Sequence, residues 1–96
     1  MSESSDDAWA RYTAALGIAL ERARRRRRLS QDVVAAAAGI ASFTYRKLEK
    51  GVSNPGTPAN PQLLTLVKLA EVLDVPLVSL LPADPGGIAP GIATEL

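Results

Sequence analysis

The 96-residue sequence predicts an all-α domain of five helices, and three observations predict it. Apolar residues recur at spacings of three and four in three separate stretches, which marks one buried face of a helix in each. From Asp7 to about Arg27 there is no proline and only one glycine, Gly17, so nothing interrupts a long first helix. Gly39 and Gly51 each follow a short periodic run, where a helix end takes a left-handed residue. A chain of this length is one domain with a single modest core.

The first helix is expected over about residues 7–27, after a flexible N-terminus at 1–6. Ser5 or Asp6 can cap it. Trp9, Tyr12, Leu16, Leu20 and Ala23 form its apolar face. It closes on Arg24 to Arg28, cations that suit the negative end of a helix dipole. Ser30 is a good N-cap for a second helix with Asp32 in its first turn. Val33, Val34 and Ala37 are its expected buried residues, and the alanine run 35–38 keeps it thin. Gly39 ends it and Ile40 plugs the corner. A third helix runs from about Ser42 to Lys50. Tyr45 and Leu48 face inward, Phe43, Arg46, Lys47 and Lys50 fall on the other side, and Gly51 stops it.

Residues 52–61 read as a loop, with three prolines, one glycine and no periodicity. Pro61 is placed near the first turn of a fourth helix, whose stripe is Leu63, Leu66, Val67, Ala70 and Leu73. Asp74-Val75 makes a turn, and Pro76 starts a short fifth helix ending near Leu81. The domain therefore spans 7–81, and 82–96 is a Pro/Gly-rich tail carrying Ile88, Ile92 and Leu96.

The second and third helices, joined by the short Gly39-Ile40-Ala41 turn, make a helix-turn-helix. In that unit the second helix enters the major groove of DNA. Charge supports this reading. The net charge is only +1, but residues 11–51 carry ten Lys/Arg against Glu21, Asp32 and Glu49, or +7, while both flanks are acidic. A basic patch confined to this unit and the helix feeding it is the footprint of a phosphate-binding face.

Other classes fare worse. There is no histidine and no cysteine, which removes the commonest general base, the commonest metal ligand and any disulfide. No constellation for an enzyme, a metal or a cofactor is evident. No signal peptide is read at the N-terminus, and no stretch approaches the roughly 18 apolar residues of a membrane span. The expected location is cytoplasmic, with the nucleoid.

From about Leu16 to Leu81 the chain resembles the lambda-repressor-like, XRE/Cro-type helix-turn-helix proteins. The resemblance rests on Arg24, Leu29-Ser30-Gln31, Ala35, Gly39-Ile40, Leu48-Glu49 and Lys50-Gly51. Asn60-Pro61, Leu63, Leu66, Lys68-Leu69-Ala70, Leu73, Val75 and Leu80-Leu81 continue it. It implies five helices packed as one all-α domain, and the expected function is sequence-specific binding of double-stranded DNA by a homodimeric transcriptional regulator, a repressor. It also implies residue roles. Ser42, Phe43 and Lys47 match base-reading positions, with Arg46 beside them. Gln31 matches a phosphate contact that braces the first recognition-helix residue, and Lys50 matches a backbone contact. Arg24 and Glu49 match a structural ion pair.

Three departures stand out. Position 41, usually a capping Ser or Thr, is Ala41, and Ser42 can cap in its place, one residue later. Phe43 replaces a polar residue: it can touch a thymine methyl but makes no hydrogen-bonded readout. The loop before the fourth helix is longer than in the family.

Several readings stay open at this level. Arg24 turns inward to Glu49, and Arg28, nearest the second helix, is the phosphate candidate among arginines that otherwise solvate a helix end. Phe43 either packs beside Ile40 or stands exposed for a thymine methyl or a protein. Trp9 and Tyr12 either cover the core or form a dimer contact. Leu77, Leu80, Leu81 and the tail isoleucines are the other dimer surface. The alternative function on the same fold is a protein-interaction module, such as the antitoxin of a toxin–antitoxin pair, holding its partner through the tail.

Overall fold

Helix α1 (Ser5–Arg26) is the longest element of the computed structural model, which describes residues 5–83. Ile88, Ile92 and Leu96 therefore lie outside the described residues. Along α1 the buried face is Ala8, Thr13, Leu16, Leu20 and Ala23. Thr13 is buried without penalty because its hydroxyl donates to the Ala10 carbonyl at 3.1 Å. Trp9 and Tyr12, expected on the apolar face, are only half-buried. Their rings stack at 5.6 Å, 7° from parallel.

Helix α2 (Gln31–Ala38) starts at Ser30, whose hydroxyl accepts the Val33 N–H at 3.1 Å. Its buried residues are Val34, Ala35 and Ala38, which corrects the expected set: Val33 is 51% exposed and Ala37 faces solvent. Both the third and fourth helices pack on α2, so the covered face is the one these neighbours share. Gly39 ends α2 with φ 73, a left-handed backbone that glycine adopts without strain.

Helix α3 (Ser42–Lys50) has Ala41 as its N-cap, with no side-chain cap bond, so Ser42 is the first helical residue and not the cap. The Tyr45 N–H already bonds the Ala41 carbonyl at 3.0 Å, which fixes the start one residue earlier than a Ser42 cap would allow. Gly51, at φ 77, ends the helix. It also presses against α1: a Cβ there would stand 2.8 Å from Ala14 Cα.

The expected 52–61 loop is instead largely a hairpin of β1 (Val52–Asn54) and β2 (Thr57–Pro58). Its register pairs Val52 with Pro58 and Asn54 with Thr57, with an irregularity between. Pro55 followed by Gly56 at φ 79 is the pairing of residues that a type II turn demands. Proline suppresses periodicity, which is why the strands were hidden. The hairpin is tied at both ends. The Ala59 N–H bonds the Gly51 carbonyl at 2.9 Å, and the Trp9 indole N–H bonds the Ala59 carbonyl at 3.1 Å.

Helix α4 (Leu63–Leu73) has Gln62 as its N-cap, so Pro61 stands before the helix and not in its first turn. Leu66, Leu69, Ala70 and Leu73 are buried. Leu69 was absent from the expected stripe, and Leu63, which was in it, is 66% exposed. The stripe is wider than a strict heptad because α4 meets both α2 and the last helix. Asp74, at φ 56, ends α4. Pro76 caps the single turn of α5 (Leu77–Leu80).

Leu16, Leu20, Val34, Ala35, Tyr45, Leu48, Leu69, Leu73 and Leu80 meet in one core cluster beneath the α2–α3 hairpin. The described architecture is thus mostly helical, with five helices in the expected order and one small hairpin added.

Candidate nucleic-acid interface

The inner side of α3 is built around one carboxylate. Glu49 has a side chain only 3% exposed and accepts four hydrogen bonds. Arg24 from α1 gives two in a fork, Nε to Oε2 at 2.6 Å and Nη2 to Oε1 at 3.1 Å. Gln31 from α2 donates to Oε1 at 2.8 Å, and the Tyr45 hydroxyl donates to Oε2 at 2.5 Å. Arg24 also holds the Leu29 carbonyl through Nη1 at 3.0 Å, tying down the turn before α2. Three helices are therefore pinned to one point.

Electrostatics follow from this packing. Burial pushes the Glu49 carboxyl up, and the bonds from Arg24, Tyr45 and Gln31 more than reverse it, leaving it below its ordinary value. The Glu49 hydrogen bond is the largest influence raising Arg24 further. Burial, and then the bond to Glu49, push the Tyr45 phenol well up, so it stays a donor. The roles of Tyr45 and Gln31 in this cluster were not read from the sequence. The spacing of four between Tyr45 and Glu49 was the available signal, since such pairs face each other on a helix.

The outer side of α3 presents Phe43, Thr44, Arg46 and Lys50 to solvent, with Ser42 and Lys47 half-buried. Phe43 is 69% exposed, so it does not pack beside Ile40 in the core. Lys47 folds over it, with Nζ 4.1 Å from the ring centroid, and donates to the Ser53 carbonyl of β1 at 2.8 Å. Arg46 reaches Asp32 on α2 at 3.0 Å, both side chains more than half exposed. The Asp32 carboxyl is held below its ordinary value by the Ser42 side chain first and by Arg46 second. Asp32 was expected only as a first-turn acid for α2, and here it restrains two residues of the α3 face.

An anion at this place works against a polyanionic ligand. Asp32→Asn is therefore expected to raise affinity for random DNA several-fold at low salt. The plot of log affinity against log salt should steepen, because the repulsion removed is strongest at low salt and is screened at high salt. Fluorescence anisotropy over a salt series measures both. An unchanged affinity and slope mean that Asp32 lies outside the field of the bound DNA.

The five arginines after Ala23 diverge. Arg24 turns inward as described, Arg25 meets Glu21 at 3.6 Å, and Arg27 donates to the Val72 carbonyl at 2.7 Å. Arg28 is exposed, in a left-handed backbone at φ 57, just before the cap of α2. Gln31, a candidate phosphate contact, is half-buried and spends one amide N–H on Glu49. Lys50 is exposed at the end of α3. The structure thus places Ser42, Phe43, Arg46, Lys47 and Lys50 on one helix, while Gln31 and Arg28 flank it from the start of α2 and the turn before.

Among the expected dimer residues, Leu80 is buried and Leu77 half-buried in the chain's own core, because α5 closes over α1 and α4. Leu81 is 38% exposed, and Val78, which the sequence reading passed over, is 74% exposed. Trp9 is half-buried, and its indole N–H ties α1 to the hairpin at Ala59. Among the described residues no helix is long and apolar enough to cross a membrane.

Comparison with known proteins agrees with this fold. No curated protein sequence matches the chain at a significant level. The crystal structure of the restriction-modification controller protein C.AhdI from Aeromonas hydrophila is similar to it, with a TM-score of 0.62 and 26% identity. The match covers 71% of this chain and 94% of that one. The family model for a helix-turn-helix domain matches residues 15–81, which takes in both helices of the helix-turn-helix, the Arg24–Glu49 anchor and the β1–β2 hairpin. This chain belongs to the helix-turn-helix domain family.

Proposed function

We propose that the protein binds specific sites in double-stranded DNA as a homodimer and regulates transcription, acting as a repressor by occupying an operator. The observation that carries this reading is the division of α3. Its inner side is locked to two other helices through Glu49, and its outer side offers an aromatic ring, a guanidinium and two ammonium groups. A helix held this rigidly, with such a face, fits the width of a major groove. Membership of the helix-turn-helix family and likeness to a restriction-modification controller support the same conclusion.

Ser42, Phe43, Arg46 and Lys47 read base edges, and Arg28, Gln31 and Lys50 hold phosphates. Two copies joined through Val78 and Leu81 set two α3 helices about one DNA turn, ~34 Å, apart. Its place of work is then the nucleoid.

Binding-site selection from random duplexes at a stated salt concentration tests the reading. The protein is expected to select a two-fold symmetric site. Lys47→Ala changes the selected bases, whereas Arg28→Ala weakens selected and random DNA alike and lowers the salt slope by about one. If both variants weaken every sequence equally, the assignment of base readers fails. If no site is selected, sequence-specific binding itself fails.

A further inference from the structure

The contact between Lys47 and the hairpin carries a more specific inference, which rests on the DNA-binding reading above. We propose that Phe43, Lys47 and the β1–β2 hairpin form one reading unit that selects a T·A pair directly beside a G·C pair in each half-site. Phe43 and Lys47 are four residues apart and therefore share a helix face. The ring is largely exposed, and the ammonium lies 4.1 Å from its centroid. Adjacent base pairs are stacked about 3.4 Å apart, so the two groups match the edges of neighbouring pairs and not of one pair.

Their chemistry assigns the pairs. The apolar group that the major groove offers to an aromatic ring is the thymine methyl. An ammonium is a pure donor, and guanine offers two acceptors, O6 and N7, side by side. A free lysine is a poor discriminator because its long stem lets the charge wander. Here it does not wander. One of its three N–H donors is fixed on the Ser53 carbonyl at 2.8 Å, and the positive head rests on the face of Phe43. The remaining donor capacity is aimed by these two restraints.

The hairpin is a firm support for this. Ser53 Oγ donates to the Pro58 carbonyl at 3.3 Å, and Ala59 is tied both to Gly51 and to Trp9 of α1. Ser53 thus acts as a positioning residue through its backbone carbonyl, while Lys47 and Phe43 touch the DNA. The hairpin supplies the carbonyl that turns a flexible lysine into a reader.

Site selection with three proteins tests the unit: the full chain, Phe43→Ser and Gly56→Val. Gly56 is at φ 79 with nothing within 4 Å of a Cβ, so valine there strains the turn without touching the core. Thermal melting of each variant confirms that the domain is folded. The full chain is expected to select T next to G. Phe43→Ser loses the preference for T by on the order of tenfold. Gly56→Val loses the preference for G by a similar factor and retains T. Three results overturn the inference: a selected site with no adjacent T and G, a Gly56→Val site identical to that of the full chain, or an equal loss at every position in Gly56→Val. Each of these leaves sequence-specific binding intact, whereas a full chain that selects nothing overturns the DNA-binding reading itself.

Discussion

Glu49→Ala is expected to cost about 3–5 kcal/mol, the range for removing one partner of a buried ion pair. For a domain of this size that lowers the melting temperature by on the order of 15 °C or more. The loss is large because the carboxylate is the sole common acceptor for Arg24, Gln31 and Tyr45, and its removal leaves three donors from three helices without their partner. Arg24 is hardest hit, with a side chain only 12% exposed. The recognition helix should fray, seen as faster amide exchange across residues 42–50. Lys47→Ala is the comparison. It removes one hydrogen bond to a carbonyl and one cation–ring contact, about 1–2 kcal/mol together at a partly wet site. Equal melting curves for the two variants would sink the view that Glu49 organises the domain.

The same anchor gives a pH dependence of known sign. The folded Glu49 carboxyl lies below its ordinary value of 4.5. Its contribution to stability is therefore complete above that pH and is lost as the pH falls through the lower folded value. Glu49→Gln should flatten the fall of melting temperature below pH 4.5 by the share of one proton, while lowering stability near neutrality.

Gly17→Ala is the second large effect. In an isolated helix this change is favourable by roughly 0.5–1 kcal/mol. Here the added methyl carbon would stand 2.7 Å from the Leu48 carbonyl oxygen and also meet the Glu49 carbonyl oxygen. Both obstacles are backbone, so no side chain can swing away, and α1 must back off from α3. Overpacking of this kind costs about 1–3 kcal/mol, at times more. The displacement also stretches the Arg24–Glu49 fork, since its two halves belong to these two helices. A net loss of about 2 kcal/mol, near 10 °C, is expected. Gly39→Ala separates sterics from backbone strain. It sits at φ 73 with nothing within 4 Å, so its cost is conformational alone and should be about 1 kcal/mol. A Gly17→Ala protein that melts at or above the parent would overturn the close approach of α1 and α3.

The helices and the helix-turn-helix within them could be read from the chain because their causes are local. Ser30 caps, Gly39 and Gly51 stop, and apolar spacing marks a face, each through interactions within a few residues. Membership of the family was legible for the same reason. What the chain could not show is which neighbour covers each face. Val33 and Val34 are equally apolar, but only Val34 lies where other helices pack. Leu63 continues a periodic stripe yet faces solvent, while Leu69 is sealed. The hairpin escaped because its two strands are short, with prolines in the turn and in β2, and part of its hold on the fold comes from Trp9, 50 residues away. The outward residues of α3 were legible as a set, but their arrangement was not. Asp32 restraining Arg46, and Ser53 restraining Lys47, both join α3 to other elements. Periodicity reports the face a side chain points to. The partner that then holds it comes from the packing of separate elements, and here that packing sets how the DNA-facing side of α3 is presented.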